Sequence, residues 1–306
     1  MSDTFWQRLT RGIVRQRQRS DWAFFAGAEW PNTIMDVGAT DRFHAKQGRS
    51  TGRWIVHVEG CRLAVYLKRH YRLPWWRGLL ALLWPERGWS PAAEEWDHLE
   101  KAREVGLPVP ASVAVAEYIG PWGRLQSMLA VEELHGMVPL HEAIPTAATS
   151  LDAATFRRWK AGLAVELARI VRELHRRSWF HKDLYLCHFY IATDDTQTLP
   201  DEWCGRVTLI DLHRLGHHPW TAFRWQAKDL AELLYSSDVA GVDAEDRQLF
   251  WRCYLEGERC GWMGRVLLWV VSWKWWLYHR HSERKKRRAA LPPVRRSGTG
   301  AQGTVA

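Results

Sequence analysis

The stretch that most limits what this chain can fold into is Leu174–Ala192, LHRRSWFHKDLYLCHFYIA. Ahead of it, Phe156, Trp159, Leu163, Leu167, Ile170 and Leu174 are spaced 3, 4, 4, 3 and 4 apart, the period of a single apolar helix face. That helix must end near Arg176-Arg177, a short loop then carries His181, Lys182 and Asp183, and a strand begins near Cys187. A second short apolar strand, 207–210, runs straight into Asp211. Two carboxylates set on loops beside rigid elements are placed for chemistry, whereas a lone Asp after a strand is usually a turn residue.

The chain before residue 134 has a different pattern. Residues 34–68 read as strands: Trp54, Val56 and Val58 alternate with Ile55 and His57, and 61–68 is β-rich after the turn at Glu59-Gly60. Between Arg72 and Ser90 the sequence is rich in Trp and Pro and reads as irregular. Ser90 and Pro91 open a helix as N-cap and first helical residue, with Glu94 and Glu95 in its first turns; Gly106, Pro108 and Pro110 close it. Two further strands follow over 111–119 and 126–134. Beyond Trp225 the pattern is helical as far as Tyr278, and His279–Ala306, without apolar period, reads as disordered. The expectation is an α+β fold in two lobes. A small β-rich lobe with one inserted helix covers 21–133 and a larger, mainly helical lobe covers 134–278.

Charge is concentrated at the ends. From Lys274 onward there are nine Lys/Arg against Glu283 alone, a net +8. The first twenty residues hold five Arg against Asp3, a net +4, so residues 21–273 carry −3 of the total of +9. In residues 1–20, Phe5, Leu9 and Ile13 recur every fourth residue among arginines and predict a basic amphipathic helix, suited to packing on the body or lying on a membrane. The 21 tryptophans, among them Trp273, Trp275 and Trp276, carry the same two readings. No apolar run approaches the ~20 residues of a membrane span, and no secretory leader is evident. Five cysteines without a C-x-x-C pair argue against a disulfide framework or zinc ribbon and for reduced thiols. The basic residues lie on the ends and on no recognisable nucleic-acid-reading element, so no nucleic-acid partner is expected.

The ordered charges match a phosphotransfer site. Lys68 ends the strand Ala64-Val65-Tyr66-Leu67-Lys68, which resembles the V-A-I-K strand of protein kinases, where lysine reaches the α- and β-phosphates of ATP. Its carboxylate partner is Glu95 or Glu94. Glu95 is preferred because it shares a face with Ala92, Leu99 and Ala102, while Glu94 sits with His98 and Lys101. H-K-D-L-x-x-x-H resembles the kinase H-R-D-L-x-x-x-N, with Asp183 as base and His188 in place of the metal-binding Asn. Asp211 corresponds to the magnesium-holding Asp of D-F-G, with His213 in place of the glycine. The glycines at 38, 48 and 52 form no G-x-G-x-x-G, and residues 46–53 are a candidate phosphate-covering loop. Backbone groups of Glu132, Glu133 and Leu134 are the expected adenine-binding edge.

HKDLYLCHFYI, LIDLHRL and RWQAKDLAELLYS, with EEWDHLEKAREVGLPVP and MLAVEELHG, resemble the lipopolysaccharide kinase (Kdo/WaaP) family of Gram-negative bacteria over roughly residues 45–240. The resemblance implies a bilobal protein-kinase-like fold. It also implies ATP- and Mg2+-dependent phosphorylation of an inner-core heptose or Kdo hydroxyl on a lipopolysaccharide precursor, at the cytoplasmic face of an anionic inner membrane. Carried over by position, the site is Lys68, Glu95, Asp183, His188 and Asp211, with Asp229 bracing the catalytic loop. The residues alone leave open a kinase of another small-molecule or protein hydroxyl, and a pseudokinase that binds without turnover.

Overall fold

In a computed structural model, which describes residues 5–38, 41–46, 48–255 and 261–290, strand alternation explains how the small lobe is layered. Its elements are α1 (Phe5–Arg11), β1 (Ile13–Gln18), α2 (Trp22–Ala26), α3 (Trp30–Thr33), β2 (Asp41–Lys46), β3 (Arg49–Val58), β4 (Cys61–His70), α4 (Trp75–Leu83), α5 (Pro91–Glu104), β5 (Ser112–Ile119) and β6 (Leu125–Glu132). The strands form one antiparallel sheet in the order β1-β5-β6-β4-β3-β2. Leu63, Val65 and Leu67 of β4 point to one face, where they pack with Val113, Met128, Ala130 and the buried rings of Trp22 and Trp30. The alternate residues of β4, Lys68 among them, therefore face the opposite side, toward α5 and the second lobe. Arg69, on the tryptophan side and almost wholly buried, donates to the carbonyls of Ile34, Met35 and Val37.

The larger lobe contains β7 (Met137–Pro139), α6 (Leu140–Ser150), α7 (Ala153–Arg176), β8 (Trp179–Phe180), β9 (Phe189–Ala192), β10 (Thr208–Leu209), β11 (Gly216–His217), α8 (Ala222–Ser236), α9 (Ala244–Tyr254) and α10 (Trp262–Ala290). The apolar stripe read from the sequence is the buried face of α7: Trp159, Leu163, Leu167, Ile170 and Leu174 enter one core with residues of α5, α6 and α8. That core runs on into Leu129 and Val131 of β6, so the lobes share packing next to the site. Two small sheets, β10-β9-β7 and β11-β8, hold the loops between.

Three expectations change. The N-terminal helix stops at Arg11, and Ile13 begins a strand paired with β5 from Ile13–Ile119 to Gln18–Ala114. Gly12 makes this turn at φ +76°, where an added Cβ would lie 2.7 Å from the Ile119 carbonyl oxygen. The segment read as irregular contains α4. It packs Ala81 and Leu82 on Ile119 and Leu125 but exposes Trp75, Trp76, Leu79 and Leu83, so apolar residues on both faces hide its period. The expected disordered tail is helical through Ala290, where good helix formers extend a packed helix. The remainder of that tail, 291–306, and residues 1–4 lie outside the described residues, as does Gln47 in the candidate phosphate-covering segment.

Candidate active site

Lys68 reaches across from the sheet to both neighbouring layers. Its Nζ lies 2.6 Å from Glu95 Oε1 on α5 and 3.3 Å from Asp211 Oδ1 of the larger lobe. Glu95 is buried, while Glu94 turns outward to Arg77 at 3.1 Å. The helix starts as its sequence dictates, with Ser90 Oγ accepting from the Ala93 amide at 3.1 Å, which sets the rotation that aims Glu95 inward. Burial pushes the Lys68 ammonium down, but the charges of Glu95 and Asp211 outweigh it and hold the group above the ordinary lysine value.

The loop after β8 is held by a carboxylate from α8. Asp229, fully buried, accepts from the His181 amide at 2.7 Å and the Lys182 amide at 2.8 Å, and His181 Nε2 meets the Ile210 carbonyl at 3.0 Å. Lys182 takes a left-handed backbone, φ +66°, which the two amide bonds to Asp229 help hold. Asp183 then presents its carboxylate to Arg214 at 2.6 and 2.8 Å, with Lys228 Nζ at 3.8 Å. His188 Nδ1 donates to the Asp183 carbonyl at 2.6 Å, leaving Nε2 3.9 Å from Asp211 Oδ2. Lys68 and Asp211 thus form a direct ion pair, and the His188 imidazole ties Asp211 to the backbone of the Asp183 loop, while the Asp183 carboxylate itself faces Arg214 and Lys228. Burial opposes a charge on His188, but Cys187, the Asp183 carbonyl and Asp211 hold it above the usual histidine value.

Asp211 is also left-handed, at φ +64°. Burial would raise its carboxyl, yet His213 Nδ1 at 2.7 Å, Lys68 and His188 pull it well below the usual carboxylate range, so it stays ionised. His213, which stands where the glycine of D-F-G would be, is therefore a partner of the carboxylate. Magnesium usually takes one or two carboxylates together with phosphate and water oxygens, and does not require an all-protein cage. Asp211 fits that role, and no group of three or more potential ligands occurs among the described residues.

At the strand-to-lobe crossing the three amides are not equivalent. The Glu132 and Glu133 amides are already used, by the Ala111 and Ala64 carbonyls at 2.9 Å each, and their side chains pair with Arg19 and Arg53. Among the described residues, only the Leu134 amide of the three is left unengaged by the protein's own hydrogen bonds. Arg214 and Lys228 were not identified from the sequence. Their signal is position alone: Arg214 lies three residues after Asp211, and Lys228 lies beside Asp229.

Two lobes closing on a strand lysine, a helix glutamate and two loop aspartates make this a protein-kinase-like molecule. The model of the lipopolysaccharide kinase (Kdo/WaaP) family matches residues 40–254, and the chain belongs to that family. It is 30% identical over 217 residues to the lipopolysaccharide core heptose(I) kinase WaaP of Pseudomonas aeruginosa, covering 68% of this chain and 74% of that one. The Escherichia coli protein of the same name is 29% identical over 196 residues, 61% of this chain and 70% of the other. A solved structure described as WaaP in complex with acyl carrier protein shares the fold at TM-score 0.62 and 24% identity, over 90% of this chain and 100% of that one.

Proposed function

We propose that the protein transfers the γ-phosphoryl group of ATP to a hydroxyl of an inner-core sugar, heptose or Kdo, on a lipopolysaccharide precursor. The observation that carries this reading is the chain of contacts Glu95–Lys68–Asp211–His188, which runs from the small lobe to the larger one and ends on the backbone carbonyl of Asp183. Phosphoryl transfer depends mainly on positioning and charge neutralisation. Lys68, oriented by Glu95, would engage the α- and β-phosphates, and the Leu134 amide would meet adenine. Asp183 would align the sugar hydroxyl and take its proton as oxygen bonds to the γ-phosphorus and ADP departs. A magnesium ion held by Asp211, with His188 at its edge, would supply charge stabilisation on the phosphates. Arg214 and Lys228 set positive charge beside the base, suited to an acceptor bearing carboxylate or phosphate.

The acceptor's lipid anchor and the basic C-terminal end support a peripheral position on the cytoplasmic face of an anionic inner membrane. The described residues contain no helix long and apolar enough to cross one. The test is magnesium-dependent phosphate transfer from ATP to core oligosaccharide, read by the mass of one added phosphate. Asp183→Ala is expected to lower turnover by about 10²–10⁴-fold with nucleotide binding retained. Transfer to another hydroxyl but to no core sugar would make it a kinase of a different acceptor, and binding of ATP without turnover on any acceptor would leave a pseudokinase.

A further inference from the structure

Trp262, Val266, Trp269, Trp273 and Trp276 follow one another along α10 at steps of 4, 3, 4 and 3, which places them on one helix face. They are 41–70% exposed. The opposite face is already used: Leu267 and Val271 are buried in the core of the larger lobe, with Tyr278 packed against it. A surface helix ordinarily turns polar residues outward, whereas this one turns out four indoles and a valine. The helix cannot roll to hide them. His279 Nε2 and Trp275 Nε1 are held by Asp238 Oδ2 at 2.7 and 3.2 Å, and Tyr278 packs edge-on against Tyr235.

Charge shares that outer face. Arg265, Arg280 and Arg284 are exposed, and the Arg280 guanidinium lies 4.5 Å over the Trp276 ring. The helix continues through the sequence Lys285-Lys286-Arg287-Arg288. Indole rings concentrate at the headgroup level of bilayers, and a basic run beside them is drawn to anionic lipid. A helix-pair seam is instead built from Leu, Ile and Val, and would crowd with four tryptophans.

We propose that the Trp262–Trp276 stripe is the face by which the protein docks on an anionic phospholipid bilayer, with α10 lying along the surface and its basic end among the headgroups. This deepens the functional reading and rests on it in one respect: docking would bring the cleft to an acceptor that is itself set in a membrane.

The test uses the full chain and sedimentation with vesicles of phosphatidylcholine, with and without phosphatidylglycerol. Wild-type protein is expected to pellet with the mixed vesicles and much less with phosphatidylcholine alone. Replacing Trp262, Trp269 and Trp273 together by Ser should lower partitioning at least ~tenfold, with melting temperature and transfer to a lipid-free core oligosaccharide unchanged. If the triple variant melts early, Arg280→Glu with Arg284→Glu is the second reading of the same partition, and should lower it as well. Undiminished partitioning of a folded variant would overturn the proposal. So would equal binding to both vesicle types, or a wild-type dimer that the triple variant breaks while vesicle binding persists. Absence of any transfer to the lipid-free acceptor by wild-type protein would sink the functional reading and leave the docking result standing.

Discussion

The first twenty residues and the segment from Lys274 onward are both strongly basic, and the fold uses them in opposite ways. At the N-terminal end three of the arginines are tied to the rest of the small lobe. Arg15 donates to the carbonyls of Glu86 and Arg87, Arg17 pairs with Asp97 at 2.7 Å, and Arg19 holds Asp21 and Glu132. The backbone between them completes the sheet as its edge strand β1. At the C-terminal end, Arg280 and Arg284 stay on the outer face of α10 among exposed tryptophans. Net charge does not separate these ends. What separates them is whether acidic side chains and an open sheet edge lie within reach: the N-terminal arginines find Asp97, Glu117 and Glu132.

The sharpest way to break this contrast is truncation. Removing residues 1–20 takes away β1, the Arg19 bridge and the packing of Leu9 and Ile13, and is expected to abolish cooperative melting of the small lobe. A chain ending at residue 284 should keep its stability within about 0.5 kcal/mol. Equal losses in urea denaturation would erase the distinction. Next in size is the comparison of two tryptophans. Trp22→Ala empties a fully buried site and should cost about 3–5 kcal/mol, while Trp269→Ala at the exposed stripe should stay within about 0.5 kcal/mol by the same measurement.

A smaller effect tests the buried sheet by pH. Burial, aided by the charges of Arg49 and Lys68, pushes the His70 imidazole down to about 4 from an ordinary 6.5. Between those values the unfolded chain binds a proton that the folded one refuses. Stability is therefore kept above pH ~6.5 and falls as pH drops toward 4, by on the order of 3 kcal/mol. His70→Gln should flatten the slope of urea midpoint against pH in this window; an unchanged slope would assign acid sensitivity elsewhere.

Much of this molecule was legible because its signals are local. The α7 stripe, the Ser90-Pro91 cap and the rotation of α5 that turns Glu95 toward Lys68 depend on residues within a turn or two of one another. Other features were hidden by misleading local patterns. Phe5, Leu9 and Ile13 have helical spacing, yet Gly12 turns the chain between the last two. Helix α4 is apolar on both sides, which blurs the period that would reveal it. At the site, Asp183 and Arg214 are 31 positions apart, and the Glu132 and Glu133 amides are taken by carbonyls at 111 and 64. No local pattern marks such pairings.

By itself, the sequence determined the two-lobed α+β plan, the helix–loop–strand frame around residues 181–192 and the pairing of Lys68 with Glu95. Periodicity, capping and motif spacing are properties of short stretches, and they survive without knowledge of the rest. Tertiary structure decided which amide of the lobe crossing stays open, which cations face Asp183, and which basic end is built into the sheet while the other keeps its arginines and tryptophans outward. Those outcomes depend on which distant groups reach one another first-hand in space, because a hydrogen bond or ion pair gains its energy only at contact distance.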